Sequence, residues 1–327
     1  MAEVISCGIT SVQDLGRKGY RALGVPVSGA LDKLSAAYAN ALVGNDPREA
    51  VLEVLGSGIE LAFRVDTVVA VTGAKCVVEV DGEEVREWQP IRVRKGSRLR
   101  VSPPLRGFAT YIAFAGGIDV EPVLGSKSTY SRAGFGGLEG RYLRPGDLVP
   151  LKAIDVDGVW ERVSGRIAPD YVRVRNLPRG VVEIRVTKGV HHELFDDIDT
   201  LFRSTYVVTP QSDRMGYRLD GPKLESAKKL GRLPSLPVDR GYVQVPPSGL
   251  PIILMSDSQT TGGYAIALHV VPPDVDRVAQ CPPGTQLRFV EVSVDEAEEL
   301  ARKYLSELEN PEIIDVEEES EYAYYVS

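Results

Sequence analysis

Cysteine, histidine and long apolar runs are scarce in this sequence, and each shortage excludes a class of protein. The three cysteines lie far apart in unrelated contexts, which is neither a disulfide framework nor a zinc site and is typical of a reducing compartment. The three histidines have no metal-ligand spacing with cysteines or acids, so we predict no metal. No apolar stretch approaches the ~18 residues that a membrane span needs. The N-terminal MAEVISCGIT lacks the regions of a secretory signal, and we expect a cytoplasmic protein without membrane contact.

The charge balance excludes nucleic acid as a partner. The chain carries 46 acids and 38 bases, for a net charge of −8, and no basic segment resembles a footprint on phosphates. Much of the excess comes from residues 310–327, which contain six acids and no base. We interpret residues 311–327 as an acidic tail that is solvated or partly ordered, or that docks on a partner through its tyrosine-rich end.

Alternation of apolar and polar residues predicts a mainly β protein with a few helices. Residues 68–104 alternate, with hairpin turns expected at Asp81-Gly82 and Lys95-Gly96. The segment GFATYIAFAGGIDV has the composition of a fully buried strand that ends at Gly116-Gly117. In the second half, further strands are predicted at VEIRVTK, STYVVTP, GYVQVPP, LPIILMSD, YAIALHVV and QLRFVEVS. So many strands need protected edges, so we expect a closed or nearly closed barrel in each half.

Three segments carry helix signals. Residues 32–45 begin with Asp32 as N-cap and end at Gly44, which supplies a left-handed exit. Residues 190–203 form a weaker candidate, with His191 and His192 on its surface. Residues 293–310 have an apolar stripe and acids in the first turn, and begin at Ser293 or Asp295. The stretch from 151 to 179 has weak signals, so we expect domains at 1–164 and 165–310.

One short pattern, R-x-G-Y-R, occurs twice. RKGYR stands at 17–21 and RMGYR at 214–218, each after a Gln and an Asp and before a Gly and a Pro. If both halves are barrel domains, the copies are expected at equivalent loops facing a common cleft. The other interpretation is independent turn chemistry, which one short match does not exclude.

Five clusters combine polar residues with glycine, a composition for which core packing has no use. Glycine lets a backbone approach a ligand and present its N–H groups, and arginine binds a carboxylate or phosphate bidentately. Any one cluster is more readily explained as a turn braced by an Arg–Asp pair, but five together favour a shared binding cleft. The clusters span 13–20, 28–32, 125–141, 212–218 and 257–264. The candidate binding residues in four of them are Gln13, Asp14, Arg17, Tyr20, Ser28, Asp32, Asp213, Arg214, Tyr217, Asp257, Gln259, Thr260 and Tyr264.

Long ordered motifs carry a family resemblance. They are TSVQDLGRKGYRALGVPVSGALD, AGGIDVEPVLGSKSTYSRAGFGGLEGRYLRPGD, SDRMGYRLDGP and GYVQVPPSGLPIILMSDSQTTGGY. Together they resemble the KipA or allophanate hydrolase subunit 2 family, which includes the C-type subunit of 5-oxoprolinase and one half of the carboxyltransferase domain of urea amidolyase. The resemblance covers nearly all of residues 8–295, and the acidic tail lies outside it.

The resemblance implies two cyclophilin-like β-barrel domains and a function that this chain does not perform alone. It implies the C-type subunit of an ATP-dependent 5-oxoprolinase, which opens 5-oxoproline to glutamate with a KipI-like protein and a LamB/YcsF-like protein. ATP is then a cofactor of the complex, and the substrate is a small acidic molecule. The Arg17 and Arg214 clusters are expected to hold the substrate carboxylate. No residue is assigned a catalytic role, and a homo-oligomer is a further possibility.

A phosphate cradle is implied for the third cluster, although its LGSKST does not satisfy the spacing of a phosphate-binding loop. The candidate nucleotide residues are Ser126, Lys127, Ser128, Arg132, Gly136, Gly137 and Arg141.

Two alternatives remain open. One is a carboxyltransferase subunit of a biotin-dependent carboxylase. This chain has no Met-Lys-Met biotinylation site, so biotin would have to be supplied in trans. The other is a non-catalytic regulatory protein, since some relatives antagonise a kinase inhibitor.

Overall fold

A computed structural model describes residues 1–316, so the predictions for 317–327 lie outside the described residues. The chain folds as two compact units. The first contains Met1–Gly16, Asp32–Leu177 and the described residues from Glu307 to Val316; the second contains Arg17–Leu31 and Pro178–Ser306. The domain limits expected from the sequence stay a prediction, because a compact unit is not by itself a domain that folds alone.

Strands provide most of the regular structure in both units. The first unit contains β1 (Ala2–Gln13), β2 (Val51–Phe63), β3 (Thr67–Lys75), β4 (Val78–Val80), β5 (Glu83–Val85), β6 (Pro90–Val93), β7 (Arg98–Val101), β8 (Arg106–Phe114), β9 (Leu148–Val149) and β10 (Arg166–Ile167). The strands that follow are β11 (Val182–Lys188), β12 (Tyr206–Val208), β13 (Gly216–Asp220), β14 (Leu236–Pro237), β15 (Tyr242–Val245), β16 (Ile252–Leu254), β17 (Thr261–Gly262), β18 (Ala265–Val270), β19 (Gln286–Glu291) and β20 (Ile314–Asp315).

The helices are mostly short. They are α1 (Lys33–Leu42), α2 (Val156–Val163), α3 (Asp170–Arg175), α4 (Asp199–Arg203), α5 (Ser226–Leu230), α6 (Pro272–Ala279) and α7 (Val294–Glu309), with 3₁₀ turns at Arg21–Leu23 and His192–Leu194.

The first unit is built on a nine-stranded sheet in the order β5-β4-β7-β2-β8-β3-β6, with β1 paired to β2 and β9 paired to β1. The long strand β2 pairs with β1, β7 and β8, and the sheet forms a nearly closed barrel. Its core takes buried side chains from both, and the rings of Phe63 and Phe114 meet there at 6.3 Å. Burial of such aromatic side chains is a main source of stability in a sheet of this kind.

The second unit contains a closed barrel in the order β11-β18-β15-β16-β13-β12-β19. Strand β11 closes it, since it pairs in parallel with β19 and antiparallel with β18. The Tyr206 and Phe289 rings pack at 6.0 Å inside. The expected fold class, mainly β with a few helices and a barrel in each half, is therefore confirmed.

The two predicted hairpin turns differ in outcome. Asp81 and Gly82 have φ values of 54° and 87°, and connect β4 to β5 as a left-handed hairpin turn. Lys95-Gly96 is also a turn, in which Ser97 N donates to Arg94 O. The hairpin expected there is wrong, because β6 pairs with β3 whereas β7 pairs with β2 and β4.

Two of the three predicted helices are confirmed. The Asp32 carboxylate accepts from Ser35 N at 3.0 Å and begins α1, and Gly44 follows its end with a φ of 77°. The Ser293 hydroxyl accepts from Glu296 N at 3.1 Å and begins α7. The predicted helix at 190–203 is wrong, because only its two ends are helical. Asp197, in the middle of this segment, instead bonds a distant part of the chain: its carboxylate accepts from Glu225 N at 2.7 Å, next to α5.

The backbone and the ring of His191 both form hydrogen bonds with Ile266 on strand β18. Its backbone N donates to Ile266 O, and its Nδ1 accepts from Ile266 N at 3.0 Å. Nδ1 must be unprotonated to accept this bond. Burial lowers the pKa of His191, in the direction this bond requires.

In the part of the chain that the structure describes, no helix is long and apolar enough to cross a membrane.

We expect the free energy of unfolding to fall as the pH drops through about 6.5, the pKa of an ordinary histidine. The unfolded chain binds the proton more readily than the folded one, so stability is lost below that pH until His191 itself titrates. Burial also lowers the pKa of His269, so the contribution of His191 must be isolated by substitution.

Denaturant unfolding at pH 7.5 and 5.0 should show a smaller pH effect in His191→Asn, whose side-chain oxygen accepts the same bond without titrating. Equal pH effects in the two proteins would contradict the role of His191.

Candidate functional site

A buried carboxylate organises the glycine-rich loop of the first unit. Asp14, at the end of β1, accepts from Gly16 N at 2.7 Å, from Ser126 Oγ at 2.8 Å and from Lys127 N at 2.7 Å. Ser128 Oγ donates to the same carboxylate. Four donors thus surround one charge, as burial of a carboxylate without a cation requires. The adjacent Gln13 donates to Thr129 O at 3.2 Å.

The cations of this loop are held by neighbouring acids. Lys127 Nζ donates to Glu49 Oε1 at 2.6 Å and to Ile118 O at 2.7 Å. Lys152 binds the other oxygen of Glu49 at 2.8 Å, and bonds from both lysines hold the pKa of Glu49 below its usual range despite burial. Arg141 is similarly bound, with its two terminal nitrogens on Asp147 at 2.7 and 3.0 Å.

Two glycines and an arginine complete the predicted phosphate cradle. Gly136 and Gly137 have φ values of 74° and 57°, and a Cβ on Gly137 would lie 1.9 Å from Thr129 Oγ1. Gly137 is therefore needed for the close approach of two loop segments. Arg132 is exposed. The serine hydroxyls and the Lys127 ammonium are engaged with acids, which weighs against a phosphate among them, and the assignment stays a prediction.

Asp32 belongs to a separate buried network. Its backbone N donates to Tyr111 Oη at 2.7 Å, and Tyr111 Oη donates to Glu53 Oε2 at 2.9 Å. Asn176 reaches the Asp32 carboxylate at 3.2 Å. Burial, followed by the charge of Glu53, raises the pKa of Tyr111 well above its usual range. The Asp32 carboxylate also caps α1, so its visible role is structural.

In the second unit a buried ion pair holds a loop. Arg214 Nε and Nη2 donate to the two carboxylate oxygens of Asp257 at 2.9 and 3.0 Å, and Nη2 also donates to Gly29 O at 2.7 Å. The side chains of Arg214 and Asp257 are 5% and 6% exposed. Such a bidentate pair fixes the guanidinium plane. These contacts favour a role for Arg214 in positioning the Ser28-Gly29 turn.

The turn itself is unusual. Ser28 has a φ of 57° and Gly29 one of 83°, and a left-handed serine is sparsely populated. Ser28 N donates to Ser256 O at 2.9 Å, and Ser256 Oγ donates to Ala30 O at 3.0 Å. The surrounding bonds therefore impose this backbone, which is a feature typical of binding sites.

The two R-x-G-Y-R copies are not equivalent. Arg17 and Arg214, the first residues of the two copies, both lie in the second unit. Arg17 is fully buried, and Tyr20 precedes the 3₁₀ turn at Arg21–Leu23. Tyr217 instead lies on β13, where its hydroxyl donates to Ala279 O at 3.3 Å. Asp213 helps to close the turn before β13, by accepting from Met215 N and Gly216 N. The interpretation as independent turn chemistry is therefore the one that fits.

Two of the remaining candidates, Gln259 and Tyr264, contact a buried amide. Gln244, on β15, accepts from Gln259 Nε2 at 3.1 Å and donates to Tyr264 O at 3.4 Å. Thr260 contributes its carbonyl, which accepts from Val238 N at 3.0 Å. Among residues 1–316, no three His, Cys, Asp or Glu side chains converge as metal ligands.

The partners that fix these clusters were not predicted from the sequence. Glu49 holds Lys127 from 78 positions away, and no local pattern indicates it. Gln244 had a weak signal, as an amide inside the strand YVQV. The structure thus unites Gln13, Asp14 and 126–128 in one unit, and Ser28, Arg214 and Asp257 in the other.

Comparison with known proteins identifies the class. The family model described as carboxyltransferase domain, subdomain A and B, matches residues 23–291, so this chain belongs to that family. It is 38% identical to the C-type subunit of 5-oxoprolinase from Escherichia coli over 307 residues, which are 91% of this chain and 93% of that protein. The corresponding protein of Haemophilus influenzae is 37% identical over 295 residues, 90% of this chain and 91% of that one.

A solved structure extends the likeness. The urea amidolyase of K. lactis matches 95% of this chain with a TM-score of 0.83 and 29% identity. This chain covers 20% of that protein, so it is similar to one part of a much longer enzyme.

We expect Asp14→Asn to destabilise the protein by about 2–3 kcal/mol, since an amide nitrogen would face donors that now bind a charge. Thermal unfolding measures this, with Asp119→Asn as the control, because Asp119 is exposed. Equal melting temperatures in the two variants would contradict the role of Asp14.

The arginines of RMGYR form a matched pair for a second test. Arg214→Lys should cost about 1.5–3 kcal/mol of stability, because lysine cannot span both Asp257 oxygens and Gly29 O. Arg218→Lys, on the exposed arginine of the same motif, should cost little. An unchanged melting temperature in Arg214→Lys, together with a raised KM in the assembled enzyme, would instead indicate substrate binding.

Proposed function

We propose that this chain is the C-type subunit of a 5-oxoprolinase, which opens 5-oxoproline to glutamate with hydrolysis of ATP. The observation that carries the proposal is the match to the corresponding E. coli protein, which covers 91% of this chain and 93% of that one. A match over most of both lengths supports a shared role better than a match to one segment of a larger enzyme.

The partners follow from the same proposal. A KipI-like protein and a LamB/YcsF-like protein complete the enzyme, and the complex works in the cytoplasm. Glycine-rich loops fixed by Asp14 and by the Arg214–Asp257 pair support a binding role, because a preorganised loop loses little entropy on meeting a ligand.

Within this proposal the arginines act mainly by positioning. Arg214 already uses its fork on Asp257 and Gly29, so a substrate carboxylate would have to displace a buried pair. Breaking such a pair leaves a charge unpaired at a cost of about 3–5 kcal/mol. We therefore assign Arg214 to holding the Ser28-Gly29 turn, whose strained backbone is the better candidate for substrate contact.

The contacts of the loop at 125–129 weigh against ATP as its ligand. The hydroxyls of Ser126 and Ser128 donate to Asp14, whose negative charge would repel a phosphate. We propose that nucleotide binding in the complex relies on other residues, and we derive no catalytic step through it.

A second candidate function is carboxyl transfer. It is favoured by the family model and by the likeness to K. lactis urea amidolyase at a TM-score of 0.83. In that case a biotinylated carrier and a biotin carboxylase act in trans. The regulatory alternative requires binding to a KipI-like protein without catalysis.

The deciding experiment is co-expression with the KipI-like and LamB/YcsF-like proteins of the same organism. We expect a single heteromeric complex that releases glutamate from 5-oxoproline only when ATP and all three chains are present. Omission of each chain in turn is the control.

Two results would contradict the proposal. An inactive three-chain complex, with biotin-dependent carboxyl transfer in a parallel assay, would support the carboxyltransferase. A stable pair with the KipI-like chain that is inactive in every assay would support the regulatory protein.

A further inference from the structure

A concave surface of the first unit lies outside all the clusters described so far. Its volume is about 720 Å³, and residues of α2, β10 and β20 and the segment after α1 line it. This volume falls within the range of about 300–1,000 Å³ that is typical of small-molecule sites. Two arginines, Arg162 and Arg166, contribute to its wall.

The fold brings these arginines together. Helix α2 begins at Asp155, whose carboxylate accepts from Gly158 N at 3.3 Å, and ends next to Arg162. The chain then turns at Gly165, whose carbonyl accepts from Val316 N at 2.8 Å. Strand β10 pairs with β20 and so places Arg166 opposite Asp315. Backbone bonds of α2 and of the β10–β20 pair thus hold the segments that carry the two arginines.

Neither guanidinium has an acidic partner among residues 1–316. Arg166 donates one bond, from Nη1 to Ala41 O at 3.0 Å, which leaves most of its five N–H donors for a ligand. Arg162 is exposed and makes no ion pair with any described residue. Asp315 also lines the cavity, although it forms no ion pair with Arg166 within the described chain.

The charges of the lining decide which ligand the cavity favours. Val163 is buried, and Ile313 and Ile314 are half-buried beside the arginines. Two guanidiniums against one carboxylate leave a net positive surface on a protein whose charge is −8.

We propose that this cavity binds a small polyanion, with phosphate or carboxylate groups held by Arg162 and Arg166. Each guanidinium offers a fork that matches one such group. The site is separate from the Asp14 and Arg214 clusters, so the proposal does not depend on the function proposed above.

Calorimetric titration of the full-length protein with inorganic pyrophosphate, and separately with citrate, tests the site. We expect Arg162→Gln to weaken binding about tenfold, since a lost charged hydrogen bond has this effect. Arg162 makes no bond that the fold requires, so this variant should keep the wild-type melting temperature. Asp315→Asn should bind about threefold more tightly, because a like charge is removed.

Arg94→Gln is the control, since Arg94 is an exposed arginine of the same unit away from this cavity. It should bind as the wild type does. Equal weakening in Arg94→Gln and Arg162→Gln would overturn the proposal, as would failure of both probes to bind at about 1 mM.

The glutamates at 317, 318, 319 and 321 lie outside the described residues and are a second source of carboxylates close in sequence to Asp315. A full-length variant with all four changed to glutamine separates the two sources. Unchanged or tighter pyrophosphate binding supports a site for free polyanions, and loss of binding contradicts it.

Discussion

The carboxylate of Asp14 is the constraint on which the glycine-rich loop of the first unit depends. A buried carboxylate without a cation needs several donors to offset its desolvation. Here two backbone N–H groups and two serine hydroxyls supply them. The same bonds fix residues 126–128, which carry Lys127 to Glu49. One acid thereby sets the conformation of a loop that lies more than 100 positions away in the chain.

In the second unit, a cation offsets the desolvation of the buried carboxylate. Asp257 is paired with Arg214, and the leftover donor of the guanidinium reaches Gly29 O. Pairs of this kind often add little net stability but specify one arrangement of the backbone. In both units, charged residues that resemble ligand contacts in the sequence are engaged with the protein itself. We infer that binding falls to the backbone and loops that they hold, which suits a protein that works within a complex.

The sequence predicted the elements better than their connections. Every strand expected in the second half is present, because alternation and β-branched residues report local structure directly. The hairpin at Lys95-Gly96 was wrong, since pairing of β6 with β3 is a long-range choice that a turn does not encode. Helix α6 was missed, although Pro272 at its first position and Asp274 are start signals. The clusters were predicted from composition, but their partners Glu49 and Gln244 could be identified only in the folded structure.

The central claim is that buried acids hold the loops in place before any ligand or partner arrives. Hydrogen exchange of the isolated chain, read at the amides of Gly16 and Lys127, tests it most directly. Both amides lie in irregular segments, yet both donate to Asp14 at 2.7 Å. We predict slow exchange at both, comparable with amides of the sheet. Exchange at the rate of an open chain would show that the loop is not preformed and would contradict the account.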